Sequence, residues 1–153
     1  MSAVHWLATE DAHPARDAAR RSMRAVAERK KADWLALFSA DAVVEDPVGP
    51  SALDPVGAGH RGAEEIGAFW DRTVGATESV GFTVRDSFAA GDEVANIGVI
   101  TTVLPDGSSI DAEGVFVYRV DGSGRLIRSL RAFWELDRAM ATLRSPEGQP
   151  GNR

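Results

Sequence analysis

Apolar residues recur at helical spacing in the first half of the chain and mostly at two-residue spacing in the second half. Ala15, Ala19, Ser22, Met23 and Val26 form one stripe, with Arg16, Asp17, Arg20, Arg24 and Glu28 on the other side. With Pro14 in its first turn, this spacing predicts a helix over about 11–29. The run Glu28-Arg29-Lys30-Lys31 reads as its solvated end, where cations complement the helix dipole. Asp33 is the expected N-cap of a second short helix, with Trp34, Leu35, Leu37 and Phe38 apolar. A short strand over 42–45 is expected to stop at Asp46-Pro47, because proline holds the preceding residue extended. The Pro/Gly-rich segment 48–61 predicts a loop without regular structure. A third helix over 63–74 buries Ile66, Phe69 and Trp70. Four strands follow near 82–88, 94–104, 110–120 and 126–134. Pro105-Asp106-Gly107 and Asp121-Gly122-Ser123-Gly124 are hairpin signals between the last three. A last helix is expected over 136–143, then a disordered tail over 145–153.

Helices first and strands later make this an α+β chain, not an alternating parallel one. The expected architecture is a cone-shaped α+β barrel, with a curved antiparallel sheet wrapped around three helices and an open mouth. The 153 residues fit one domain, placed at 1–144.

Charge and composition narrow the function. A net charge of −6 supplies no basic surface for nucleic acid or anionic membrane. The absence of cysteine removes thiolate nucleophiles and thiolate metal sites. No signal peptide and no apolar run of membrane-spanning length is visible, so a cytoplasmic protein is expected. His5, His13 and His60 show no metal-binding spacing, the first of them on a frayed terminus, and no metal or cofactor is expected. No GxSxG elbow is present. Gly57-Ala58-Gly59-His60-Arg61-Gly62 has the letters of a dinucleotide fingerprint but lacks its preceding strand, and reads as a loop.

Two features remain. Phe38, Phe69, Trp70, Phe82, Phe88, Phe116, Phe133 and Trp134 either fill a core or line a pocket, since a cone of this size leaves its mouth open. Asp46 is the sharper one. It is either a turn residue bonded to nearby backbone or a carboxylate at an apolar rim, where a raised pKa makes a usable base.

The segment Leu35-Ala36-Leu37-Phe38-Ser39-Ala40-Asp41-Ala42-Val43-Val44-Glu45-Asp46-Pro47-Val48-Gly49 resembles the one carrying the catalytic base in ketosteroid isomerases. Gly62-Ala63-Glu64-Glu65-Ile66-Gly67-Ala68-Phe69-Trp70 is similar to that family's third helix, and the stretches 117–121 and 129–134 to its last strands. The wider superfamily is that of nuclear transport factor 2-like and SnoaL-like cones. The resemblance implies a proton transfer that converts a β,γ-unsaturated 3-oxosteroid to the conjugated enone, with the aspartate base at Asp46. It also implies two donors to the dienolate oxygen, a tyrosine and a protonated aspartic acid. Those donors fall here on Ser22 and Phe116, and two supporting tyrosines on Phe38 and Trp70. Tyr118, the single tyrosine, lies beside the wrong position.

Three readings follow. In the first, a weak or altered steroid Δ-isomerase-like enzyme uses Asp46 as base and Ser22, or an indole of Trp70 or Trp134, as substitute donor. Its pocket is lined by Val26, Phe69, Trp70, Phe116, Leu130, Ala132 and Trp134. In the second, the same pocket binds a steroid-like hydrophobic small molecule without turnover, as an apolar Phe116 favours. In the third, the role is structural. Other activities of the cone, polyketide cyclase-like, epoxide hydrolase-like or dehydratase-like, have no matching constellation, and alternation from Phe116 turns Asp111 and Glu113 away from the pocket. Ser51, Asp54, His60 and Arg61 are expected as solvated loop residues near the mouth. A homodimer is expected through the outer face of the last strand, where Ile127, Ser129, Arg131 and Phe133 alternate away from the pocket.

Overall fold

The computed structural model describes residues 3–146. Most of the expected tail, 147–153, lies outside the described residues. The α+β cone is what the chain forms. Helices α1 (Pro14–Ala27), α2 (Lys31–Leu35) and α3 (Gly62–Arg72) pack inside a seven-stranded sheet, and α4 (Leu136–Met140) follows its last strand. The meander β4 (Ser79–Ala90), β5 (Glu93–Val103), β6 (Ser109–Val120) and β7 (Ile127–Trp134) is antiparallel throughout. Beyond β7 the sheet continues with β2 (Phe38–Glu45), parallel to β7, and the two-residue β3 (His60–Arg61). β1 (Val4–Trp6) runs parallel to β4 at the other edge. Among the described residues no helix is long and apolar enough to cross a membrane.

Several expectations need correction. The N-terminus carries β1 instead of fraying, with its Trp6 ring beneath the Arg20 guanidinium at 4.3 Å. Helix α1 starts at Pro14 because His13 caps it, its Nδ1 accepting from Ala15 N–H at 3.0 Å. Arg16 is not solvated; it lies buried, donating to the Ser87 hydroxyl at 2.9 Å and to two backbone carbonyls. Arg29 is exposed, as expected of the helix end, and its guanidinium also donates to the carbonyls of Val74 and Thr77. Asp33 lies inside α2, whose N-cap is Lys30, and Phe38 opens β2 instead of ending a helix. Ile127 is fully buried, because a register shift between Arg119 and Val120 turns it inward. Phe88 and Phe133 are exposed, at 59% and 43%, and belong to neither core nor pocket.

The sheet's bend has a sequence cause. Gly98 and Gly114 face each other on β5 and β6. A Cβ on either would lie 2.1 Å from a neighbouring carbonyl oxygen, so only glycine admits the close approach. Toward β7 and β2 the inward row is Tyr118, Leu130 and Val44, paired across three adjacent strands.

Candidate active site

Between the sheet's inner face and the helices lies a cavity of about 380 Å³, within the roughly 300–1,000 Å³ of small-molecule sites. Its wall is mostly apolar, with Val26 from α1, Phe69 from α3, Phe82 from β4, Ile100 from β5, Phe116 from β6 and Leu130 from β7. Leu136, Ala139 and Met140 of α4 and Pro47, Ala52 and Leu53 of the loop after β2 add to it.

Asp46 enters this wall one residue past β2, on the inward side set by the fully buried Ala42 and Val44. The indole N–H of Trp134 donates to its Oδ1 at 2.6 Å. Burial is the largest influence on this carboxyl and pushes its pKa above the usual range, since a low-dielectric wall disfavours the charge. The Trp134 hydrogen bond and the nearby His60 pull the other way. His60 is no solvated loop residue: it is buried on β3, its ring 4.7 Å from that of Phe69.

A second polar group faces the same space. Tyr118 is only 4% exposed and lines the cavity beside Ser22, with which it shares a hydrogen bond. Ser22 Oγ also accepts the Trp34 indole N–H at 3.0 Å. Burial, and next the charge of Asp46, raise the Tyr118 pKa, against the opposing Ser22 hydrogen bond, so the phenol keeps its proton.

The profile of the SnoaL-like domain matches residues 19–129, most of the chain. The chain belongs to the SnoaL-like domain family. This SnoaL-like chain is also similar to several solved structures. The Δ5-3-ketosteroid isomerase of Mycobacterium sp. is 36% identical, with a TM-score of 0.77 over 87% of this chain and 98% of that one. RV0760c of Mycobacterium tuberculosis, solved in complex with estradiol-17beta-hemisuccinate, is 36% identical, with a TM-score of 0.77 over 87% and 99%. A computationally designed 17-OHP binder is 35% identical, with a TM-score of 0.78 over 87% and 98%. No curated protein matches the chain.

In the SnoaL-like fold the residues singled out from sequence separate into two groups. Ser22, Val26, Asp46, Phe69, Phe116, Leu130 and Trp134 line the cavity; Trp70 and Ala132 do not. The Trp70 ring packs against Trp34 at 5.1 Å, and Ala132 lies in the sheet, its carbonyl bonded to Val48 N–H. Neither indole proposed as a donor is free for that role, because Trp134 is engaged by Asp46 and Trp70 is outside the cavity. Of the loop residues, Ser51 lines the cavity while Asp54 is buried and accepts from Ala58 and Gly59 N–H at 3.2 and 2.8 Å. The glycine-rich letters there thus serve a folded turn. Tyr118 is the residue sequence reasoning missed. The alternation from Phe116 that turns Asp111 and Glu113 outward turns Tyr118 inward.

Proposed function

We propose that the cavity takes a flat, apolar, steroid-like ketone and that Asp46 is the general base of an intramolecular proton transfer on it. The observation that carries this is a carboxyl group of raised pKa in a mostly apolar wall, fixed by the Trp134 indole. Its ionised form accepts a proton from the carbon between carbonyl and double bond of a β,γ-unsaturated 3-oxosteroid. The protonated form returns that proton to the γ-carbon, giving the conjugated enone and restoring the carboxylate. A pKa lifted toward neutrality suits both steps better than an ordinary aspartate, because it narrows the gap to the carbon acid. The steroid complex of RV0760c and the named activity of the Mycobacterium sp. relative support the ligand class and the reaction class.

Phe116 occupies the position of one donor in the resembled enzymes and offers none, and loss of one such donor costs about 10²–10³ in rate. Slow isomerisation is therefore the expected activity. The same residue favours the second reading, a binding protein without turnover. Enone absorbance with 5-androstene-3,17-dione separates them. Turnover that falls about 10²–10⁴-fold in Asp46→Asn upholds the base. No Asp46-dependent turnover, with tight steroid binding in a fluorescence titration, leaves the binding protein. A homodimer through the outer face of β7, where Arg131 stacks on the exposed Phe133 ring at 5.3 Å, is part of the proposal. Sedimentation equilibrium checks it, and a monomeric mass at working concentration removes it.

A further inference from the structure

We propose that Tyr118 is the hydrogen-bond donor to the ligand's carbonyl oxygen, held from behind by Ser22 and Trp34. This rests on the reading of Asp46 as a base. When a carboxylate removes a proton beside a carbonyl, the carbon's electron pair forms a new double bond and the carbonyl pair moves to oxygen. In an apolar cavity that oxyanion needs a donor already aimed at it.

The wall offers few candidates. The Trp134 N–H is engaged by Asp46 and the Trp34 N–H by Ser22. Thr73 and Thr77 donate to the carbonyls of Phe69 and Val74 in their own turns. Thr102 pairs with Ile110, eight residues along β6 from Tyr118, which is about 27 Å of strand. Ser51 sits on the loop that follows Asp46.

Tyr118, Ser22 and Ser51 remain, and position favours the phenol. Tyr118 pairs with Leu130, and Leu130 with Val44, the inward residue just before Asp46. With strands about 4.8 Å apart, the β6 and β2 backbones lie roughly 10 Å from one another here. A flat ligand lying over Leu130 therefore presents its carbonyl to Tyr118 and its adjacent carbon to Asp46. Ser22 acts as a positioning residue. It accepts from Trp34 and so has its own proton to give to the Tyr118 oxygen, which polarises the phenol O–H toward the ligand. Burial keeps that phenol neutral, and therefore a donor, at physiological pH. Tyr118 retains its proton throughout; the only proton transferred is the one Asp46 carries.

The test compares wild type, Tyr118→Phe and Asp46→Asn in turnover of 5-androstene-3,17-dione and in binding of its conjugated product, 4-androstene-3,17-dione, which keeps the 3-carbonyl. Where the wild type turns over, kcat decides. A fall of about 10²–10³-fold in Tyr118→Phe with KM nearly unchanged upholds the donor, and a wild-type kcat overturns it while leaving Asp46 intact. Where the wild type is inactive, the Asp46 reading falls and the affinity for 4-androstene-3,17-dione decides. A loss of about tenfold in Tyr118→Phe, one hydrogen bond's worth, upholds the donor, and unchanged affinity overturns it. Ser22→Ala is expected to lower kcat less than Tyr118→Phe, with KM unmoved and recovery in Ser22→Thr. Tyr118 is the chain's single tyrosine, so feeding 3-fluorotyrosine labels it alone should Tyr118→Phe fail to fold. Its fluorine resonance is expected to respond differently to a 3-oxosteroid and to the 3-deoxy analogue, and identical responses overturn the proposal.

Discussion

Asp46 draws its chemistry from its neighbours. An aspartate before a proline is common, and the letters around Asp46 leave open whether its carboxylate bonds local backbone or faces a ligand. Its hydrogen bond runs instead to Trp134, on another strand. Trp134 therefore holds the carboxylate and stabilises its charged form at once. Removing the indole N–H in Trp134→Phe leaves burial less opposed, so the Asp46 pKa rises further. The proposed base works ionised, so the acidic limb of the kcat/KM–pH profile is expected to move to higher pH in that variant. A limb that stays in place, or moves down, contradicts the Trp134–Asp46 coupling. Tyr118 teaches the complementary lesson. A family position-match discards it, while the plain alternation of the strand places it in the wall.

At the scale of elements, alternation and turn chemistry made the four-strand meander legible to within a few residues. What escaped was set by partners distant in sequence. β1 is three residues long and exists because β4 offers it an edge. The start of β2 was hidden because Phe38, which packs on Trp34, looks equally apolar in a helix. The register shift that buries Ile127 follows from pairing between β6 and β7, which no single strand encodes. The loop after Asp46 is the element closest to function. Asp54 pins its far side through the N–H groups of Ala58 and Gly59. Gly59 has φ +84°, and a Cβ there would fall 2.7 Å from Val43 Cγ1. Charge-assisted bonds of this kind contribute about 1.5–3 kcal/mol each. Asp54→Ala is expected to lower the unfolding free energy by about 1.5–3 kcal/mol, read as a lower denaturant midpoint at unchanged m, and to weaken steroid binding, because Ser51, Ala52 and Leu53 of the same loop line the cavity. An unchanged midpoint would show that the loop is held by other contacts.

For the molecule as a whole, helices before strands, together with the stretch around Asp46, sufficed to name the cone. The fold follows from layer rules that a sequence displays directly. The cavity's polar arrangement was less legible, since it depends on which side chains are already bonded. Two indoles that looked available are occupied or excluded, and a tyrosine that looked misplaced is not. In the proposed reaction the Asp46 carboxylate carries a single proton between two carbons of the same ligand. The most direct measurement uses 5-androstene-3,17-dione deuterated at the carbon between carbonyl and double bond, turned over in ordinary water, with the product analysed by mass spectrometry. Deuterium retained at the γ-carbon of the enone, and lost from the outcome in Asp46→Asn, is the predicted result. Product carrying only solvent hydrogen at that carbon would contradict it.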